Sequence, residues 1–226
     1  MRVLRGRAAT ITADRERTGA MLDRTGETGE PAVRVWTPHR QVAFGRRDAT
    51  ESGYDRARAA ARDRGFEPVE RRVGGRAVAY TGSTVAFAHA VPVESPRTGL
   101  DERYAAVSER LRRALATLGV DAVPGEPADA FCPGSHSLQR DGKLVGIAQR
   151  VRTDSALVAG CVVVDDRDAF ASVLAAVYGA LDRPFDPASV GSVAAAGGPS
   201  DPERVVAAVE RALVGDREPT VERVER

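Results

Sequence analysis

At 226 residues, with 42% hydrophobic and 29% charged side chains, the chain is long enough for one sizeable core and has the balance of a soluble globular protein. Its net charge of +1 gives no global field to recruit nucleic acid or an anionic membrane. No apolar run reaches the roughly 20 residues that span a bilayer, residues 1–7 lack an apolar signal core, and two cysteines are too few for a disulfide framework, so the expectation is cytoplasmic residence with reduced thiols.

Residues 8–24 are mixed and charged and read as a helix ending before the glycines at 26–29. Residues 32–36 (Ala-Val-Arg-Val-Trp) alternate as a strand should, and 41–45 read as a second strand after a turn containing Pro38. Residues 54–64 are Ala/Arg-rich and helical, closed by Gly65, and 69–73 form a short strand running into Gly74-Gly75. A strand follows at 84–91. The clearest helix is 102–118, where Tyr104, Val107, Leu111, Leu115 and Leu118 form one stripe and Gly119 ends it. Beyond Cys132-Pro133-Gly134, residues 144–152 and 156–164 read as strands in hairpin spacing, and 169–181 as a helix. Residues 189–198 are loop-like. The last helix, 202–214, has Asp201 as N-cap and Pro202 at its first position. The charged residues 216–226 read as a frayed tail on a domain of 1–215. Strands and helices without strict alternation predict a single α+β domain with a mixed sheet flanked by helices.

Three segments carry candidate chemistry. In the first, Glu70-Arg71-Arg72-Val73-Gly74-Gly75-Arg76-Ala77-Val78-Ala79-Tyr80, paired glycines let backbone approach a ligand, and Arg71 has the fork to pair with a phosphate or carboxylate. The competing reading, preferred for the bare sequence, is a Gly-Gly turn with surface arginines. In the second, Cys132 precedes a Pro-Gly turn, with His136 and Lys143 as the local cations that would favour its thiolate. The bland alternative is a small buried hydrophobe, and that is the reading taken for Cys161 within its apolar run. The third is Lys143 itself, the one lysine among 33 cationic side chains, in Gly142-Lys143-Leu144-Val145-Gly146-Ile147-Ala148-Gln149-Arg150. Lysine differs from arginine where a compact ammonium is needed. Metal binding is not expected: His39, His89 and His136 are scattered, and His89 reads as a satisfied core or rim residue.

Taken in order, these segments resemble the biotin/lipoate protein ligase and octanoyltransferase family. The resemblance rests on Arg71 through Val78, on Lys143 through Arg150, and on the early Val33-Arg34-Val35-Trp36 … Gly45 segment. Cys132-Pro133-Gly134-Ser135 is most similar to the branch that moves octanoyl groups between lipoyl domains through a cysteine thioester. That resemblance implies Cys132 as nucleophile and Lys143 on the acyl carbonyl. It makes Arg71, Arg72, Gly74, Gly75, Ala77, Tyr80, Gly146 and Ala148 substrate-binding, with the acyl chain in a tunnel beside Gly74-Gly75. It implies no required cofactor and no metal, and as partners the lipoyl domains of 2-oxoacid dehydrogenase subunits or the glycine-cleavage H protein. Where the family's ligases carry Arg-Arg-x-Ser-Gly-Gly, this chain has Glu70 and Val73 at the first Arg and the Ser. Tyr80 stands for a frequent His, and Ala86 for a typical Asn. The alternatives are an ATP- and Mg-dependent lipoate or biotin ligase acting through an acyl-adenylate, and a non-catalytic lipoyl-domain-binding subunit of a bipartite ligase with an accessory chain. The stretch after Val164, about 60 residues, is short for a large accessory module and favours the transferase.

Overall fold

Alternation along residues 32–36 sends Val33 and Val35 to one face of a sheet and Arg34 and Trp36 to the other, and the molecule is built on that division. A computed structural model describes residues 1–71 and 75–225. In chain order it contains β1 (Arg2–Arg5), α1 (Ile11–Thr28), β2 (Ala32–Trp36), β3 (Gln41–Phe44), α2 (Tyr54–Arg62), β4 (Glu67–Glu70), β5 (Val78–Tyr80) and β6 (Val85–Pro92). There follow α3 (Leu100–Thr117), β7 (Val123–Pro124), β8 (Leu138–Gln139), β9 (Lys143–Val151), β10 (Ser155–Val162), α4 (Arg167–Ala180), α5 (Pro202–Val214) and β11 (Thr220–Arg223). The large sheet runs β11-β1-β2-β6-β10-β9-β8-β7, and a small sheet runs β4-β3-β5. Both mix parallel and antiparallel pairs, so the predicted α+β class forms, with two mixed sheets where one was expected.

One face of the large sheet packs Val33, Val35, Val85 and Phe87 against Val107, Leu111 and Leu115 of α3 and Val205, Val209 and Leu213 of α5. The opposite face packs Ala88, Ala90 and Leu157 against Met21 and Leu22 of α1. The small sheet packs Val42, Phe44 and Val78 on α2 and α4, in a cluster that also takes in Phe131. At about 1.5–3 kcal/mol per fully buried large apolar side chain, these three clusters supply the main stabilising term.

Four expectations change. Helix α1 does not stop before Gly26; it is capped by Thr10 and ends at Gly29, whose φ of 70° is the left-handed terminator. A Cβ on Gly26 would stand 2.6 Å from Asp154 Oδ1, so that glycine makes room for the β9–β10 turn instead of breaking the helix. The tail is not frayed: β11 pairs in parallel with β1, and Arg2 Nε donates to Glu222 Oε1 at 2.8 Å. The strand at 69–73 lies earlier, as β4, and its Val73 end falls outside the described residues. His89 is 6% exposed, but its Nε2 has no hydrogen-bond partner among the described residues, so it is buried without being satisfied.

Candidate active site

The strands β7 and β8 close a loop that delivers the candidate nucleophile. Gly125 N donates to Ser137 O at 2.9 Å, drawing the two ends of residues 125–137 together. Within the loop Phe131 is fully buried and meets Phe170 of α4 edge-on, with ring centroids 4.9 Å apart. Cys132 follows with φ at +42°, a left-handed conformation that costs a non-glycine residue about 1–2 kcal/mol. Both of its backbone polar groups are held. Its N–H donates to Tyr178 Oη at 2.7 Å, and that hydroxyl donates onward to Ala77 O at 3.1 Å. Its carbonyl accepts from Lys143 Nζ at 2.9 Å. Strain of this kind persists only where the surroundings over-determine it.

Lys143 begins β9 and is fully buried. Its ammonium donates to Glu126 Oε2 at 2.6 Å, Phe131 O at 2.9 Å and Cys132 O at 2.9 Å, and it lies 4.8 Å from the Phe131 ring centroid. Three acceptors use its three protons. Direct contact with an acyl carbonyl therefore requires one of these bonds to be exchanged.

Among the described residues, the cation in hydrogen-bond contact with the thiol is Arg71. Its Nη2 sits 3.1 Å from Cys132 Sγ and donates to Arg76 O at 2.6 Å. Burial works against the Arg71 charge, but the Cys132 sulfur offsets it and the guanidinium is held more firmly protonated than usual. His136, counted with Lys143 as a local cation for Cys132, instead stacks on Tyr104 at 4.2 Å between centroids and 7° between planes. Gly75, with φ at +96°, completes the contact. A Cβ there would stand 2.6 Å from Cys132 Sγ and 2.8 Å from Arg71 Nη2. The second cysteine behaves differently: Cys161 is buried, and burial followed by the nearby Cys132 pushes its thiol up to about 11.

Arg71 also lines a cavity of about 600 Å³ between the two sheets and α1. Its floor is small and apolar, from Ala86, Ala88, Ala148, Ala159 and Gly160, and Ala43, Val69 and Tyr80 wall it from the small sheet. Exposed Arg15, Glu16 and Asp23 stand at its rim. One wall is fixed by a buried ion pair. Arg34 bonds the carboxylate and main-chain carbonyl of Asp14 and stacks 4.1 Å over Trp36, while Trp36 Nε1 donates to Asp14 Oδ2 at 2.8 Å. Burial lowers the Arg34 pKa, and Asp14 works against that loss.

Of the residues singled out in the sequence, Cys132, Arg71 and Gly75 meet at one point, with Lys143 anchored beneath the Cys132 carbonyl. Ala77 enters through its carbonyl, and Tyr80 and Ala148 line the cavity. Gly146 sits opposite Cys161 on the β9–β10 ladder, where a Cβ would lie 3.7 Å from Lys143 Cε. Arg72 and Gly74 lie outside the described residues.

The fold has known counterparts. The chain matches the family profile described as lipoyl protein ligase A/B catalytic domain over residues 17–214. It belongs to that family. The octanoyl-[GcvH]:protein N-octanoyltransferase of Exiguobacterium sibiricum is 34% identical over 121 residues, which are 53% of this chain and 44% of that protein. A protein of the same name from Exiguobacterium sp. is 29% identical over 142 residues, 62% of this chain and 46% of that protein. The chain thus spans about half the length of the curated relatives it matches. A crystal structure of lipoate-protein ligase A bound with ATP superposes with a TM-score of 0.77 at 18% identity, covering 100% of this chain and 88% of that one. The bipartite lipoate protein ligase of Thermoplasma acidophilum, solved in work that included its E2 lipoyl domain, gives 0.70 at 18% identity, covering 100% and 86%. Both likenesses show the lipoyl protein ligase fold.

Three members of the site carry no signal as sequence. Glu126 lies in an unpatterned loop, Tyr178 reads as core on α4, and Asp14 is one carboxylate among many in α1. Only the fold brings them to Cys132, Lys143 and Arg34.

Proposed function

We propose that this lipoyl protein ligase family member is a cysteine-dependent acyltransferase that moves an octanoyl or lipoyl group to the lysine of a lipoyl domain. The observation that carries the reading is Cys132 Sγ placed 3.1 Å from Arg71 Nη2, where the same arginine lines an apolar-floored cavity. A guanidinium at hydrogen-bond distance stabilises a sulfur anion, and thiolate is the reactive form. The names of the curated relatives support the reaction class.

In the proposed sequence the Cys132 thiolate attacks the carbonyl carbon of an octanoyl-lysine amide whose chain fills the cavity. The tetrahedral intermediate collapses with cleavage of the C–N bond. The donor lysine nitrogen takes a proton from solvent as it leaves, and the octanoyl group stays on sulfur as a thioester. The amine of a second lipoyl-domain lysine then attacks the thioester, forming the new amide, releasing one proton to solvent and returning the thiolate. One difficult amide exchange becomes two acyl transfers. The donor and acceptor proposed are lipoyl domains, of 2-oxoacid dehydrogenase subunits or of the glycine-cleavage H protein. No ATP enters this route.

The test is octanoyl transfer between two lipoyl domains by the wild type and by Cys132→Ala, with and without ATP. Loss of transfer in Cys132→Ala without any ATP requirement supports the reading. Transfer from free octanoate that needs ATP and survives Cys132→Ala replaces it with the acyl-adenylate ligase.

A further inference from the structure

The loop carrying Cys132 is not closed by its own backbone alone. Gly125, with φ at +114°, turns the chain out of β7 and places Glu126 under residues 131–137. The carboxylate makes three contacts there. Oε1 accepts from Gly134 N at 2.8 Å, and Oε2 accepts from Ser137 Oγ at 2.7 Å and from Lys143 Nζ at 2.6 Å. Lys143 in turn holds the carbonyls of Phe131 and Cys132. The pair therefore grips the chain before, at and after the nucleophile, through the Phe131 carbonyl, the Cys132 carbonyl and the Gly134 amide.

The charges divide in the same way. Lys143 is fully buried, and Glu126 is the carboxylate it pairs with. A buried ammonium without a counter-ion is strongly unfavourable, so the carboxylate is what lets lysine stand at this depth. Once paired, Lys143 acts as a staple for the loop, and among the described residues the cation in hydrogen-bond contact with the sulfur is Arg71.

We propose that Glu126 is a positioning residue for acyl transfer: it holds the Lys143 ammonium and the Gly134 amide so that the strained Cys132 presents its Sγ to Arg71. This rests on the acyltransferase reading for its kinetic consequence, but not for its effect on the thiol.

The experiment uses Glu126→Gln, Arg71→Gln and the double variant in the full chain, all carrying Cys161→Ser so that Cys132 is the one thiol. Two quantities are read: the rate of iodoacetamide alkylation at pH 7, which needs no acyl donor, and kcat and KM for octanoyl transfer. Glu126→Gln keeps the side chain's size and an oxygen for Gly134 N while removing the charge. Alkylation should fall about tenfold, and kcat by about the same or more with KM within about twofold, the pattern of lost positioning and not of lost binding. The decisive result is coupling. If Glu126 acts by placing sulfur against Arg71, the double variant alkylates no more slowly than Arg71→Gln, whereas independent effects would multiply. Unchanged alkylation in Glu126→Gln, or multiplying effects, overturns the proposal. Should Glu126→Gln not fold, Glu126→Asp in the same cycle keeps the charge and shortens the reach, with the same coupling expected. A wild type that transfers no octanoyl group while the alkylation coupling holds would remove the proposed function and leave this role standing.

Discussion

Gly75→Ala tests the geometry at the thiol with one methyl group. The residue has φ at +96°, and its new Cβ would stand 2.6 Å from Cys132 Sγ and 2.8 Å from Arg71 Nη2. The backbone strain alone is worth about 1–2 kcal/mol, which in a domain of this size lowers Tm by roughly 2–8 °C. The steric effect falls elsewhere. Both clashing atoms are the ends of side chains, so the methyl relieves itself by parting Sγ from the guanidinium. A hydrogen bond to a charged group contributes about 1.5–3 kcal/mol, so kcat/KM for octanoyl transfer should drop roughly 10- to 150-fold. Gly82→Ala is the control: its φ is +104°, yet nothing lies within 4 Å of the added Cβ. It should lose comparable stability and keep its transfer rate. Thermal melts and steady-state transfer on the two variants decide the matter. Transfer by Gly75→Ala within twofold of wild type, or an equal loss in Gly82→Ala, refutes the reasoning.

Two further outcomes follow from the core and the cavity. Burial first, then Arg110 and Arg217, press the His89 pKa from its ordinary 6.5 down to about 4. The unfolded chain therefore takes up the proton first on acidification, and stability falls as pH drops from 6.5 toward 4, by up to about 3 kcal/mol. Urea midpoints at pH 7 and 4.5 should show this loss in the wild type and a smaller one in His89→Leu; an identical loss in both would exclude His89 as its source. On the cavity floor, Ala159→Leu shortens the space for an acyl chain. Each methylene is worth about 1–3 kcal/mol of discrimination, so the ratio of hexanoyl to octanoyl transfer should rise at least about tenfold. An unchanged ratio in a competition assay would show that the chain lies elsewhere.

What could be read in advance was whatever local pattern decides. The stripe of α3 and the Asp201-Pro202 start of α5 are local signals, and both helices form within two residues of expectation. The β1–β11 pairing joins residues some 220 apart in sequence, and neither four-residue strand has a pattern strong enough to declare itself. Gly26 sits inside α1 and does not end it, with the Asp154 carboxylate from a turn 128 residues later lying over its Cα. The site divides similarly. Cys132, Arg71 and Lys143 stand out by residue type and spacing, but their division of labour does not. Arg71, a surface arginine on the preferred reading of the bare sequence and substrate-binding only through the resemblance, meets a thiol 61 residues away. Lys143, which the resemblance puts on the acyl carbonyl, is hydrogen-bonded to Glu126 and two main-chain carbonyls. His89 reads as satisfied because an apolar strand does not announce which of its polar atoms will lack a partner.

The central claim is a thioester on Cys132, and intact mass reads it directly. Mixed with an octanoylated lipoyl domain and quenched in acid, the wild-type chain should gain about 126 Da on Cys132, and Cys132→Ala should gain nothing. A wild type that transfers the octanoyl group while no adduct accumulates, together with undiminished transfer by Cys132→Ala, would contradict the account.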